Sequence, residues 1–522
     1  MRQKSRGLEK EVLMDQNLLT DYETQRSLQE EKRCEESRMN AWIFGKLALP
    51  SLFYALVYTF CVYKNTTGIT VPLWIAATIG YACYGISMVG KKVKRDSIFL
   101  TVVMMLLGIS TFLTGNEWII WMNYAGFFLL LICFLLRNLK ETMNWDLGKY
   151  VTETFAAVMG TLVDVPKPFL DGNDFWKMRQ KKENTKGRYI VFGICLAIPC
   201  ILFLGMLLMS ADAVFADLVS RLFENFRLPS RIAGIVFMIL FGFFSSYCGI
   251  RYLTREGKHR EPKERKVGEP VLAITVTGAI AALYLIFCGI QVLYLFIGKM
   301  QLPKHMSYAE YARQGFFQLL FVCIINLVVV LEVEKYFQKN RILNGILLVI
   351  SACTMIMTAS SAWRMILYIG AYRLTFLRVA VLVALFAIAL LMGGTVVYIL
   401  RPAFPLLKYE VTVVSVVYLA FAFSHVDYFI ASYNLAQLEK ESRVDFEYIN
   451  AYLSTDAAPA IASYLKENPE GKNGADDGNA SDYPVNQKTW YQEYLMRNRE
   501  HWENMTLRSF NLSYFIAEKV LE

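Results

Sequence analysis

Apolar residues fall along this chain in blocks of about 17–28 residues, separated by short polar or charged stretches. At 1.5 Å per helical residue, a block of that length crosses a hydrocarbon core of roughly 30 Å. Eleven blocks predict spans: Leu47–Tyr63, Ile69–Gly90, Ser97–Gly115, Trp118–Leu136, Tyr189–Met209, Ile232–Leu253, Val271–Gly298, Phe316–Leu331, Ile342–Trp363, Val379–Leu400 and Val411–Ala431. Around 342–378 a span and an apolar surface segment read alike. Two other stretches show helical spacing instead of continuous apolarity. Residues 210–231 place apolar side chains at 214, 215, 218, 219, 222, 223 and 226, with Asp212, Asp217, Arg221 and Glu224 on the wet side. Residues 144–169 carry Leu147, Val151, Phe155, Val158, Met159 and Leu162 on one stripe ending before Pro166, which predicts a juxtamembrane helix.

Composition agrees. Hydrophobic residues make up 55% of the 522 residues and charged residues 19%, against about 45–50% and about 25% in soluble domains. The fold class is therefore an all-α integral membrane protein. Residues 1–42 read as a charged cytosolic extension, 43–431 as the membrane domain, and 432–522 as a helical tail with a Gly/Asn/Asp-rich linker near 467–487. The extension is too long and too charged for the n-region of a signal peptide.

Basic residues give an orientation. With the N-terminus in the cytosol, 35 of the 54 Lys and Arg fall in inner segments, 10 in outer loops and 9 in the tail. An odd number of spans then puts the tail outside. The tail carries 15 acidic residues, and the net charge of the chain is +9. That surplus is the positive-inside signature, not a nucleic-acid footprint. Of the ten Cys, nine lie in spans and none is in an outer segment, so no disulfide framework is expected.

The outer segments hold the candidate chemistry. In "LPKHMSYAEYARQGFF" (302–317), Ser307 and Glu310 have capping-box spacing. Tyr308 and Tyr311 suit the headgroup level, and His305 and Arg313 remain unassigned. In "SSAWRMILYIGAYRLTFLR" (360–378), Arg364, Tyr368 and Tyr372 are spaced along one helical face, with Arg373 and Arg378 beyond. Arg forks bind phosphate or carboxylate, so anion or headgroup binding stands beside plain anchoring. His425 and Asp427 lie near the outer end of the last span. Two residues apart on a helix they cannot chelate one ion, and Asp427 is expected to pair with Arg378 or Arg364. Gln291, Gln318, Asn326 and Asn344 read as interhelical hydrogen-bonding groups. In the tail, Ser454 and Thr455 read as a helix cap before Asp456.

Phosphate-loop, dinucleotide, zinc-protease and nucleophile-elbow motifs are missing, and no His/Asp/Glu cluster has metal-ligand spacing. No cofactor and no metal are expected.

The blocks "LLMSADAVFADL", "LPKHMSYAEYARQGFFQLL", "SAWRMILYIGAYRLTFLR", "VDYFIASYNL", "DAAPA" and "W..MTLRSFNLS" resemble a bacterial polytopic membrane family catalogued as domain of unknown function 4173, related to 4153. The likeness covers about residues 40–520. It implies a bacterial cytoplasmic membrane and supplies no activity. Arg373 stands where that family has Gly before Leu-Thr, which puts a tight turn there in question. The expectation is a non-enzymatic envelope sensing, regulatory or assembly protein. Its anionic or lipid-linked ligand would sit at an outer-face site lined by Arg364, Tyr368, Tyr372, Arg373, Arg378, Arg313, His305, Glu310, His425 and Asp427. The alternatives are an enzyme acting on a lipid-linked substrate, with Glu310 or Asp427 as base, and a transporter.

Overall fold

A computed structural model describes residues 2–179 apart from 143, 144 and 146, scattered positions between 197 and 218, and then 230–255, 268–293, 316–438, 452–467 and 487–521. The helices in chain order are α1 (Arg2–Val62), α2 (Thr70–Met88), α3 (Ile98–Leu113), α4 (Glu117–Leu139), α5 (Leu147–Val163) and α6 (Lys167–Arg179). They continue with α7 (Ser230–Arg255), α8 (Pro270–Gln291), α9 (Phe316–Tyr336), α10 (Arg341–Tyr372), α11 (Phe376–Leu400), α12 (Leu406–Ala422) and α13 (Val426–Leu438). The tail adds a 3-10 turn (Thr455–Ala457), α14 (Ala458–Glu467), α15 (Gln487–Glu503) and α16 (Leu512–Leu521).

Among the described residues nine helices are long and apolar enough to cross a membrane, and the bent pair α12–α13 makes a tenth. In hydrocarbon the backbone must satisfy its own hydrogen bonds, which is why each apolar block is helical. The eleventh predicted span, Tyr189–Met209, and the amphipathic stretch 210–231 fall almost entirely outside the described residues. So do His305, Glu310 and Arg313.

The spans form two groups. In the first, α1 to α4 and α7 close around Leu47, Trp74, Met104, Phe127, Phe134 and Tyr247. In the second, α8 to α11 pack through Val330, Leu343, Leu347 and Ile350. Helix α12 joins them, touching α11 on one side and α3 on the other.

Three boundaries differ from the sequence reading. The charged extension and first span are one unbroken helix, α1. Residues 342–372 also belong to one helix, α10, so the Arg/Tyr stretch is the end of a span. The block Val411–Ala431 is broken after Ala422, with a 54° bend between α12 and α13. His425 sits in that break at φ 48°, a left-handed conformation that side chains other than Gly rarely adopt. The turn after α10 does form, and Arg373 takes a conformation of glycine type, φ 70° and ψ 179°. An Arg there costs about 1–3 kcal/mol of backbone strain.

The buried Gln291 and Asn326 do join helices: Gln291 accepts from Ser360 at 2.7 Å, and Asn326 donates to Thr354 at 3.0 Å. Gln318 instead lies on an exposed face.

The end of the bundle nearest Asn40 holds a buried charge network. Arg251 of α7 donates to Asp171 at 2.5 and 3.0 Å and to Asp164 at 2.7 Å. Tyr247 adds a bond to Asp171 at 2.8 Å. Arg251 and Asp171 are both fully enclosed. The network ties α7 to the α5–α6 corner.

Candidate functional site

At the opposite end, the loops α1–α2 and α3–α4 and the α12–α13 break come together under the tail. The contact is polar, and each bond in it is local geometry reused. Asn116 caps α4 by accepting from the Ile119 amide at 3.0 Å. Its side-chain amide then donates to Asp427 Oδ2 at 2.8 Å. Asp427, in the first turn of α13, accepts on the same oxygen from the Ser454 hydroxyl at 2.6 Å and the Ser454 amide at 3.0 Å. Ser454 also caps the 3-10 turn, as its spacing before Asp456 predicts. Asp456 accepts from the Thr114 hydroxyl at 2.5 Å and from the Gly115 amide at 2.9 Å. His425 Nδ1 stands 3.9 Å from Asp456 Oδ2, with its ring half exposed. Gly115 is required by this approach, because a Cβ there would lie 2.0 Å from Thr455 Oγ1.

The tail's Thr506–Ser513 loop makes the second grip. Arg508 donates to the Phe60 and Tyr63 carbonyls at 3.1 and 2.7 Å, which closes the C-terminus of α1. The Ile69 amide donates to the Phe510 carbonyl at 2.8 Å. Asn511 donates to the Thr114 carbonyl at 3.0 Å and caps α16 through Ser513. Below these bonds, Tyr494 and Ile461 of the tail share a core with Ile119, Phe421 and Ile430.

The arginines lie elsewhere at the same end. Tyr368 and Tyr372 pack with ring centroids 4.9 Å apart. Arg378 lies over them, its Cζ 4.4 Å from the Tyr368 centroid. Its NH1 donates to the Tyr372 carbonyl at 2.6 Å and also to the Arg373 carbonyl. Among the described residues no carboxylate pairs with Arg378. Asn434 of α13 clasps Leu374 by both backbone groups at 3.0 Å, which ties this corner to the helix that carries Asp427.

Arg364 is separate from both. It is 7% exposed and turns into the second bundle, donating to Gln291 at 3.2 Å. The expected pairing of Asp427 with Arg364 or Arg378 is thus replaced by bonds to Asn116 and Ser454. The structure brings together Tyr368, Tyr372, Arg373 and Arg378 in one corner, and His425 and Asp427 in another. Thr114, Asn116 and Asn511 were not singled out from the sequence. The "MTLRSFNLS" and "DAAPA" blocks were the signal, since both are docking elements.

A family model described as "Domain of unknown function (DUF4153)" matches residues 101–464. No curated protein and no solved structure matches the chain.

Proposed function

This chain belongs to the DUF4153 family, a domain of unknown function, and we propose that it is a non-enzymatic protein of the bacterial cytoplasmic membrane that binds an anionic or lipid-linked ligand at its outer face. In this reading the N-terminus is cytosolic and the tail extracytoplasmic. The excess of Lys and Arg at the end nearest Asn40 supports that orientation. Residues on either side of 180–229 agree with it: Asp174 bonds to Asn40, just before the apolar part of α1, and the Arg231 carbonyl accepts from Tyr63, just past the end of α1. A reporter active only outside the cytosol, joined after Leu521, should therefore be active; a silent one in a folded fusion overturns the orientation.

Arg378 is the observation that carries the ligand class. Its guanidinium is held by an aromatic face and two carbonyls, so its position is set before any ligand arrives, and among the described residues no carboxylate neutralises its charge. A fixed fork of this kind at the bilayer boundary suits a phosphate or carboxylate. Tyr368, Tyr372 and Arg373 would shape the site, and Arg313, His305 and Glu310 remain candidates to complete it. Arg364 would brace it from within the bundle, and His425 and Asp427 would hold the tail beside it. The enzyme reading is weaker. As a general base, Asp427 would need a free approach, and Ser454 and Asn116 already occupy Oδ2 in a buried setting.

Native mass spectrometry of the purified protein beside Arg378→Ala tests this. An anionic species should copurify with wild type and be lost in the variant while melting behaviour is retained. Identical spectra, with or without a bound species, would make Arg378 a membrane anchor only.

A further inference from the structure

Helix α5 has three faces. Tyr150 and Ala157 are buried against α4 and α7. Lys149 and Glu153 lie on a largely covered polar face, bonded to each other at 3.1 Å, with Lys140 joining Glu153 at 2.7 Å. Burial alone would raise the Glu153 carboxyl, but the two ammonium groups hold it below its ordinary value, so this face stays charged. The third face is apolar and uncovered: Val151, Phe155 and Leu162 are 61–63% exposed. On helix α6, Leu170 and Trp176 are also exposed, 42% and 51%, but point about 120° apart around the helix. Such a stripe in water would be an aggregation surface.

Its height in the bundle is fixed from two sides. Gly160 lies so close to α7 that a Cβ would come within 2.1 Å of the Tyr252 ring. Asp164 and Asp171, at the α5–α6 corner, grip Arg251 near the end of the same span. At that end, Lys91 and Lys94 reach the carbonyls of Leu139 and Lys140, where α4 stops. Lysines at span ends mark the headgroup level. Trp145 stacks edge-on against Tyr150 with ring centroids 5.1 Å apart, an aromatic pair at that depth. The stripe therefore lies level with the ends of α4 and α7 that these residues mark. Basic residues, Lys177 and Arg179, close α6.

We propose that α5 and α6 form a docking surface for the phospholipid monolayer on the N-terminal side of the protein, with Val151, Phe155 and Leu162 seated among the upper acyl carbons. Amphipathic helices in an interface plane bind in this way, with their apolar face below the headgroups and basic residues at their level. Here the buried Arg251 network holds the helix pair rigidly against a span, so the bracket registers the position of the membrane surface relative to α7.

The test places the photoreactive residue p-benzoylphenylalanine at position 155 of the full chain, in liposomes of phosphatidylethanolamine and phosphatidylglycerol. After irradiation, intact-mass measurement should show an added phospholipid. The same residue at position 150, on the protein-packed face, should add none, and a wild-type-like melting transition shows that either variant is folded. A folded 155 variant that acquires no lipid overturns the proposal. So does one that instead crosslinks to another protein in native membranes, because a partner chain then covers the stripe. Neither result touches the Arg378 reading, which concerns the opposite end and a different readout.

Discussion

Replacing Asp456 with alanine is expected to release the tail from the membrane domain. The carboxylate is the acceptor for the Thr114 hydroxyl and the Gly115 amide, both buried. Each donor left without an acceptor costs about 1–3 kcal/mol, so the loss is about 2–6 kcal/mol. The Arg508 and Asn511 grips and the apolar core around Tyr494 remain, and a loss of this size weakens the joint enough to populate its open state. Limited proteolysis reads the outcome: the tail should be cut in Asp456→Ala under conditions that leave wild type intact. Ser463→Ala, which loses only an exposed bond to the Pro459 carbonyl, should behave as wild type. Equal resistance in Asp456→Ala would show that the carboxylate does not hold the tail.

Arg251→Met is expected to be the most destabilising single change at the other end. It leaves Asp164 and Asp171 enclosed without a cation, although Tyr247 still donates to Asp171. Removing one partner of a buried ion pair costs about 3–5 kcal/mol. Arg251→Lys should recover only part of this, since one ammonium cannot reproduce the fork that serves both carboxylates. The combined change Arg251→Met, Asp164→Asn and Asp171→Asn should be milder than Arg251→Met alone, because it removes the stranded charges. Thermal melting in detergent ranks the three. If Arg251→Met melts with wild type, the network contributes nothing to stability.

Apolar block length was enough to place the nine single-helix spans and the bent pair found among the described residues, because hydrocarbon leaves a long apolar segment no option but a helix. The Ser454 cap and the α5 stripe were equally legible, since both are local patterns. What the sequence did not disclose is where distant polar groups meet. Asp427 is 311 residues from Asn116, and its charge suggested an arginine partner where the fold supplies an amide and a hydroxyl. Arg251 opens a basic run and reads as a topology marker, yet its carboxylates lie 80 and 87 residues earlier. Arg364 shares i, i+4 spacing with Tyr368 and Tyr372, but each such step drifts by about 40° around a helix. Two steps suffice to turn Arg364 toward Gln291 while Tyr372 faces out. The break at His425 interrupts a block with no Gly or Pro to signal it.

The central claim is that the tail is bolted onto the end of the membrane domain formed by the α1–α2, α3–α4 and α12–α13 connections. Three loop amides donate across that joint: Ile69 to the Phe510 carbonyl, Gly115 to Asp456 and Ser454 to Asp427. Hydrogen–deuterium exchange resolved to single residues measures them directly. The account predicts that all three are protected in the wild-type protein, and that Gly115 and Ser454 lose protection together in Asp456→Ala. Exchange of all three at the rate of an open loop in wild type would contradict it.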